Sequence, residues 1–145
     1  VTSAQMIEAG KRVVQSGIDL SVTLISGLGG KEKWREHAIE SARVMNEINP
    51  KYIGLLTLMV EPGTVLYEKV RRNDFQLLTP KEVMIETREF LRHIEVNDCI
   101  FRSNHASNYV ALGGTLPQDK ERLLAQLDEM IRYDYQGKPE FLRML

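Results

Sequence analysis

The sequence has 145 residues, 43% of them hydrophobic and 27% charged, with a formal net charge of -1. This length suits one domain with a real core, and the near-neutral charge argues against nucleic acid or a membrane surface as the main partner. No apolar run approaches the roughly 20 residues that span a bilayer, and no signal peptide is recognisable. Cys99 is the single cysteine, which excludes a disulfide framework and fits a cytoplasmic location.

The first sixty residues predict a helix, a strand, a second helix and a second strand. Thr2-Ser3-Ala4-Gln5 has the form of a capping box, which predicts a helix over residues 3–16. Residues 20–26 then predict a strand. An amphipathic helix follows the glycines of "LISGLGGKEKW" and ends at Asn49-Pro50. The apolar run "YIGLLTLMV", residues 52–60, is typical of a strand buried on both faces of a parallel sheet.

The second half of the chain predicts three helices and a third strand. After the turn "EPGT", Thr64 caps a short helix that runs to about residue 72. Thr79 and Pro80 begin a longer helix with a capping box. The third strand is predicted over residues 98–102, and Thr115 to Gln118 is expected to cap the last helix. The polar tail after Asp134 is expected to be loose or docked against a neighbour.

These elements predict an α/β fold whose short βαβ connections are right-handed. In open α/β sheets and barrels, ligands bind beyond the carboxyl ends of the strands. Three such ends are recognisable in the sequence, at residues 26–30, 61–64 and 103–105. If the strands are parallel, these three ends lie on the same side of the sheet, and a site is expected there.

The glycine-rich turn after the first strand has two interpretations. Gly27, Gly29 and Gly30 match neither the P-loop nor the full dinucleotide-binding pattern. Backbone N–H groups at the start of the following helix could bind an anion or a carboxylate. Alternatively, the glycines serve only a tight turn and close packing of the helix. The sequence leaves both interpretations open.

The segment "FRSNHASNY" has more polar side chains than a structural connection needs. Arg102 offers a bidentate fork, Asn104 and Asn108 offer amides, and His105 can hold or move a proton. The alternative is an Asx-rich turn whose side chains satisfy its own backbone. A functional loop is favoured because the segment follows a strand end.

Other polar residues give weaker signals. Glu61, at the end of the second strand, either orients a ligand amine or faces water. His37 and His93 have no ligand-like spacing to each other or to Cys99, so no metal site is expected in this chain. A hydrolase based on a serine beside His105 lacks the nucleophile-elbow pattern.

The order of helix, "LISGLGG", helix and "YIGLLTLMVEPGT" resembles the last half-barrel of radical S-adenosylmethionine enzymes. The similarity is greatest to the branch of oxygen-independent coproporphyrinogen oxidases and Elongator-type proteins. In that family the fifth strand ends in a Gly-Leu-Pro-Gly-like turn, and the sixth ends near Pro-Gly-Thr. The resemblance covers about residues 1–70, and residues 71–134 look like the C-terminal extension of uncharacterised iron–sulfur oxidoreductases of that superfamily.

The resemblance implies a binding wall for the adenosine part of S-adenosylmethionine. The family's fifth strand often carries Gly-x-Ile-x-Gly-x-x-Glu beside the adenine; Ile25 and Gly27 match this pattern, whereas Thr23 and Gly30 depart from it. The sixth strand of the family lays apolar backbone against the adenine. The cofactor-binding residues expected here are Ile25, Gly27, Gly29, Gly30, Leu58, Met59 and Val60. Arg102 and His105 are the catalytic candidates, and contacts to a small-molecule substrate are expected from Glu61, Ser103, Asn104 and Asn108.

Two motifs of that family are absent from the sequence. One is the Cys-x-x-x-Cys-x-x-Cys loop that binds the 4Fe-4S cluster, and the other is the Gly-Gly-Glu stretch that holds the methionine amine. Both lie on the family's first two strands, and this sequence starts at Val1 without an initiator methionine. We therefore expect a C-terminal portion of a longer enzyme. The parent would use S-adenosylmethionine and the cluster, and this chain alone is expected to bind neither.

The sequence thus predicts part of a (β/α) TIM-like barrel. Residues 1–70 form its βαβ portion, residues 71–134 a helix–strand–helix extension, and residues 135–145 a tail. The predicted function is to supply part of the adenosine wall, and substrate contacts, in a radical S-adenosylmethionine oxidoreductase. A free-standing α/β module that binds an anion or a nucleotide without redox chemistry is the alternative.

Half a barrel also predicts self-association of the isolated chain. The strand over residues 20–26 would be left with an unpaired edge that no proline or lysine protects. An apolar inner face of Val22, Leu24, Leu56 and Leu58 would lose its opposite wall. Two-fold pairing of the chain is the commonest way to cover such surfaces.

Overall fold

The computed structural model describes residues 1–143 and has five α-helices, four strands and one 3-10 helix in that range. Residues 144 and 145 of the predicted tail lie outside the described residues. The elements in chain order are α1 (Ser3–Gln15), β1 (Ser21–Ser26), α2 (Gly30–Ile48), β2 (Tyr52–Thr57), α3 (Val65–Arg71), α4 (Pro80–His93), β3 (Cys99–Ser103), β4 (Leu112–Leu116), α5 (Lys120–Arg132) and the 3-10 helix (Glu140–Leu142). Among residues 1–143, no helix is both long and apolar enough to cross a bilayer.

The four strands form one open sheet in the order β1-β2-β3-β4. β1, β2 and β3 are parallel, and β4 pairs with β3 in the antiparallel sense. Because the crossovers from β1 to β2 and from β2 to β3 advance in the same direction, right-handed connections place α2 and α4 on the same face of the sheet. α1 packs beside α2 and α5 beside α4, which makes a single layer of helices. The predicted α/β class is confirmed.

The hydrophobic core lies between this helix layer and one face of the sheet. Alternate residues of each strand contribute to it, as the period of two in a β-strand requires. Val22 and Leu24 are in register with the buried Ile53 and Leu55 and pack against the same core. The prediction that Val22 and Leu24 face the interior of a barrel is therefore wrong, since their parity turns them toward the helices. The core residues are Ala38, Ala42, Val44, Met45, Ile48, Ile53, Leu55, Met84, Phe90, Leu91, Ile94, Val96, Cys99, Phe101, Leu112, Leu116, Leu123 and Leu127.

Among the described residues, no helix packs against the opposite face of the sheet, and we call this face the open face. Its central row follows the register Thr23, Gly54, Arg102, Gly113 across the four strands. Ile25 and Tyr52 on this face are 37% and 38% exposed. The strand residues of the open face are Ser21, Thr23, Ile25, Tyr52, Gly54, Leu56, Ile100, Arg102, Gly113 and Thr115.

Two boundaries differ from the sequence prediction. β2 ends at Thr57, and residues 58–60 continue beyond the sheet. β4 was not expected, and Thr115 lies in this strand instead of capping the last helix. The cap position of α5 is Asp119, whose carboxylate accepts a hydrogen bond from the Thr115 N–H at 2.8 Å. This hydrogen bond lowers the pKa of Asp119, and Arg122 lowers it further.

The tail beyond α5 packs against its own chain. The Lys138 N–H donates to the Tyr109 carbonyl at 2.8 Å, and the Lys138 ammonium donates to the Ala106 carbonyl at 3.2 Å. Gly137, at φ 71°, comes so close to Tyr109 that a Cβ would lie 2.6 Å from that carbonyl oxygen. Up to residue 143, the tail is therefore not loose but docked against the neighbouring loop 104–111 of the same chain.

Candidate functional site

A cavity of about 570 Å³ lies at the carboxyl ends of β1 and β2. Its position follows the rule that ligand sites in parallel sheets form beyond these strand ends, and its volume is ordinary for a small-molecule site. The lining residues are Gly27, Thr57, Leu58, Met59, Val60, Glu61, Pro62, Leu77, Leu78, Val83, Tyr109, Glu140 and Arg143.

The segment Leu58–Val60 forms the wall nearest the sheet. The Leu58 N–H donates to the Ser26 carbonyl at 3.0 Å, which carries the chain past the end of β2 alongside β1. Gly27, at φ 91°, lies close enough that its Cβ would be 3.4 Å from the Leu58 Cβ. The backbone N–H groups of Met59 and Val60 donate no hydrogen bond within residues 1–143. Both residues line the cavity.

The tail supplies the polar end of the cavity. Arg143 is 2% exposed, and its Nε donates to the Ser107 carbonyl at 2.6 Å. The same guanidinium donates to the Tyr109 hydroxyl at 2.6 Å and to the Glu140 carboxylate. Burial raises the pKa of the Tyr109 phenol, so this hydroxyl stays protonated at neutral pH. Sequence reasoning selected neither Glu140 nor Arg143, and it selected Tyr109 only as part of the segment "FRSNHASNY".

Glu86 is a second residue that sequence reasoning missed. It lies on α4, is 2% exposed, and accepts a hydrogen bond from the Gly27 N–H at 2.7 Å. Its other oxygen lies 2.8 Å from the His37 Nδ1. The sequence did contain an indication that residue 86 is buried, because it lies three residues after Val83 and four before Phe90, on the apolar face of the helix. A carboxylate at such a position requires buried partners.

Glu86 bears directly on the glycine-rich turn. This carboxylate occupies the place that a bound anion would take at the Gly27 N–H. The Lys31 N–H is also paired, since it donates to the Gln76 carbonyl at 3.1 Å. Gly30, at φ 57°, packs against Phe75, and its Cβ would lie 3.0 Å from that ring. Gly29 and Gly30 therefore lie against residues 73–76, outside the cavity, whereas Gly27 lines it.

The predicted cofactor residues thus fall into three groups. Gly27 and the segment Leu58–Val60 line the cavity together with Glu61. Gly29 and Gly30 face the segment after α3. Ile25 lies on the open face, because it is one residue out of phase with Leu24, which packs toward the helices.

The loop 104–111 attaches to β2 through its side chains. The Asn108 amide donates to the Leu55 carbonyl at 2.7 Å, and its oxygen accepts from the Thr57 hydroxyl at 2.9 Å. The Thr57 N–H donates to the Ser107 hydroxyl at 3.1 Å. These contacts replace strand pairing at the end of β2. Asn108 is buried and has the contacts of a turn that satisfies nearby backbone groups.

The remaining predicted residues do not converge on one point. His105 is exposed, and its Nδ1 accepts a hydrogen bond from the Ser107 N–H at 3.2 Å and lies 2.9 Å from the Ser107 hydroxyl. Asn104 is exposed, whereas Ser103 is buried on the helix side of the sheet. Arg102 stands on the open face, away from the lining of the cavity.

The side chains present offer no fit to an iron–sulfur cluster. Cys99 is fully buried in β3, and burial raises the pKa of its thiol to about 11, which disfavours the thiolate that binds iron. Among residues 1–143, no group of three histidine, cysteine or acidic side chains is placed to hold a metal ion. A cluster site cannot be assigned to the described part of this chain.

Comparison of the chain with protein-family models, with curated proteins and with solved structures found no match. The candidate site is therefore defined by its own chemistry. It combines an apolar wall with free backbone donors, a glycine turn fixed by a buried carboxylate, and a polar end built around a buried guanidinium.

Proposed function

We propose that this chain is part of a radical S-adenosylmethionine oxidoreductase and that its cavity takes the adenosine part of the cofactor. The observation that carries the proposal is the joint position of Gly27 and Leu58–Val60 around the cavity at the carboxyl ends of two parallel strands. Gly27 and Leu58–Val60 are four of the seven residues that the resemblance assigns to the adenosine wall, and the other three, Ile25, Gly29 and Gly30, lie outside the cavity. In the parent enzyme, the open sheet would form part of a TIM-like barrel, with the open face toward its interior.

The cavity has the chemistry that an adenine needs. Leu58, Met59 and Val60 provide apolar contact, and the unpaired N–H groups of Met59 and Val60 can donate to ring nitrogens. Glu61 is an exposed carboxylate at the rim, where it can accept from a ribose hydroxyl or an amine. The buried Glu86 keeps the Gly27 turn in place behind this wall.

The iron–sulfur cluster would belong to another part of the parent enzyme, because the described residues of this chain do not fit it. When bound there, the cluster would supply the electron that cleaves the cofactor. The contribution of this chain would be to bind and orient the adenosine, and to shield it from water.

The proposal is tested by titrating the chain with S-adenosylmethionine and following backbone amides by two-dimensional NMR. The sequence alone predicts no cofactor on this chain, but the preformed cavity predicts weak binding of the adenosine part, seen as saturable shifts confined to Gly27 and residues 57–62. Val60→Glu places a charge in the apolar wall and should weaken binding about tenfold or more, since an unpaired charge is costly there. Val65→Glu is the matched control, because Val65 is 77% exposed and lies outside the cavity.

Three outcomes would overturn the proposal. They are an absence of binding, binding that Val60→Glu leaves unchanged, and equal weakening by Val65→Glu. A titration with AMP addresses the alternative function. Equal affinity for AMP and S-adenosylmethionine would favour a general nucleotide-binding module over a radical enzyme.

A further inference from the structure

We propose that residues 135–143 form a strap that opens and closes the candidate cavity as a unit, and that Arg143 latches this strap in its docked position. The strap supplies two of the residues that line the cavity, Glu140 and Arg143. When the strap detaches, the polar end of the cavity loses its wall. The identity of the enclosed ligand rests on the proposed function, whereas the opening depends only on this chain.

The strap begins beside the cavity, at the start of α4. The Lys81 ammonium lies 3.1 Å from the carboxylate of Asp134, the residue that precedes the strap. Asp134 has a φ of 51°, a left-handed conformation that ends the helical course of the chain after α5. Val83, two residues after Lys81, lines the cavity. The strap therefore starts from a point on the α4 side of the cavity.

The far end of the strap is attached to the loop 104–111 and to the wall of the cavity. The Arg143 Nε donates to the Ser107 carbonyl at 2.6 Å, and the guanidinium carbon lies 3.9 Å from the centre of the Tyr109 ring. The Nη2 of the same side chain donates to the Leu58 carbonyl at 3.4 Å. One buried side chain thus holds the strap against two sides of the cavity.

The other attachments of the strap are polar as well. The Lys138 N–H donates to the Tyr109 carbonyl, and the Lys138 ammonium donates to the Ala106 carbonyl. Among the strap residues whose side chains the structure describes, none belongs to the hydrophobic core. Segments with few buried apolar contacts open at a lower free energy than the core. The strap can therefore detach while the sheet and the helices stay folded.

An ion pair within the strap lets Arg143 leave its buried position. Glu140 lies three residues earlier, and its carboxylate accepts hydrogen bonds from the Arg143 Nη1 at 2.6 and 2.7 Å. Because both charges belong to the strap, the pair stays together when the strap detaches. Opening breaks the contacts of Arg143 with Leu58 and with the loop 104–111, but it leaves no charge buried without its partner.

A ligand inside the cavity should favour the docked strap. It would lie between the segment Leu58–Val60 and Arg143, which line the same cavity, and it would contact Arg143 only while the strap is docked. A ligand shifts an equilibrium toward the state with which it interacts more strongly, so it should slow the opening. The strap should in turn retain the ligand, since such coupling is reciprocal.

The opening is tested by labelling a thiol inside the cavity of the full chain with a disulfide reagent, without any ligand. Val83→Cys places the thiol on α4, where Val83 is 7% exposed and lines the cavity. Cys99, the single cysteine of the sequence, is fully buried in the core and reports global unfolding. The introduced thiol should react at least about tenfold faster than Cys99, because local opening costs less free energy than global unfolding.

Three further variants are made in the Val83→Cys chain. Arg143→Gln should speed the labelling of the introduced thiol about tenfold or more, because the strap loses charge-assisted hydrogen bonds. Glu140→Gln leaves the buried guanidinium without its carboxylate and should also speed labelling; its side chain is 72% exposed, so this variant folds even if Arg143→Gln does not. Arg132→Gln, an exposed position at the end of α5, is the control and should change nothing.

The strap does not gate the cavity if neither Arg143→Gln nor Glu140→Gln changes the labelling rate of the introduced thiol. It also does not gate the cavity if this thiol and Cys99 react at the same rate, because opening would then be global unfolding. Equal acceleration by Arg132→Gln would show a general effect of charge and would count equally against the proposal.

Hydrogen exchange of the Lys138 amide, followed by NMR, tests the coupling to the ligand. S-adenosylmethionine at about ten times its Kd should slow this exchange about tenfold, as expected for a ligand that binds only the docked state. Shifts at residues 57–62 without such slowing would overturn the coupling. If S-adenosylmethionine causes neither shifts nor slowing, the proposed function fails, while the effect of Arg143→Gln on thiol labelling still supports the strap.

Discussion

Glu86 joins three elements through one buried carboxylate. It connects α4 to the turn after β1 through Gly27 and to α2 through His37. Glu86→Ala leaves the Gly27 N–H buried without a partner, which should lower the free energy of unfolding by about 1–3 kcal/mol. Urea denaturation followed by circular dichroism measures this loss.

Glu36→Ala is the matched control for Glu86→Ala. Glu36 is exposed on α2, and its removal should change the free energy of unfolding by less than about 0.5 kcal/mol. If the two variants unfold at the same urea concentration, the carboxylate of Glu86 does not hold the turn.

Two helices, α1 and α4, begin with a capping box of the same kind but pack differently in the fold. The stability that each capping box contributes can therefore be compared. Thr79 caps α4 with Glu82, and Thr2 caps α1 with Gln5. Thr79→Ala should lower the free energy of global unfolding by about 1 kcal/mol, since α4 packs against both α2 and α5. Thr2→Ala should cost less, because α1 packs mainly on α2 and can fray separately. Urea denaturation of both variants checks this order, which a larger loss in Thr2→Ala would contradict.

The pKa of Glu82 reports on the same cap. Burial raises it, but the hydrogen bonds from Thr79 and the nearby Lys31 outweigh burial, so the pKa is lowered. A lowered carboxyl pKa stabilises the folded state above the ordinary value of the unfolded chain. That contribution is lost as the pH falls through the folded-state pKa, and the capping box should weaken in acid.

The elements that sequence patterns identified are those with strong local signals. Capping residues and apolar periodicity located α1, α2 and α4 within one or two residues. β4 was missed because its sequence, "LGGTL", contains two glycines and has the composition of a turn. Its pairing with β3 depends on a tertiary contact that no local pattern reveals.

The site could be predicted only in part, for a related reason. Strand ends are visible in sequence, so Gly27 and residues 58–61 were selected and lie together around the cavity. The wall formed by Arg143 was not visible, because its contact with the Ser107 carbonyl joins residues 36 positions apart. Successive side chains of β1 point to opposite faces of the sheet, so Ile25 points away from the face that Leu24 packs on. Which of the two faces the helices cover cannot be deduced from the sequence of the strand.

For the whole molecule, we expect self-association through β1. This strand is at an edge of the sheet and carries the exposed Ile25, and the exposed Tyr52 lies on the neighbouring β2 on the same open face. Light scattering should show a dimer or larger species, and Thr23→Lys should shift it toward monomer, because a lysine at an edge opposes strand pairing. Thr115→Lys, at the opposite edge, is the control.

A monomer at high micromolar concentration would contradict this expectation and would weaken the half-barrel interpretation. Dissociation by Thr115→Lys in place of Thr23→Lys would move the interface to β4.

The strand order has a kinetic consequence. Because the order in the sheet repeats the order in the chain, each strand pairs with the one that precedes it in sequence. No strand has to be inserted between two others, so each loop closure joins consecutive strands; the longest runs from Thr57 to Cys99 and the shortest from Ser103 to Leu112. Growth of the sheet can proceed from β1 toward β4 as the polypeptide leaves the ribosome. Synthesis and folding then run in the same direction, and the last pairing formed is a local hairpin.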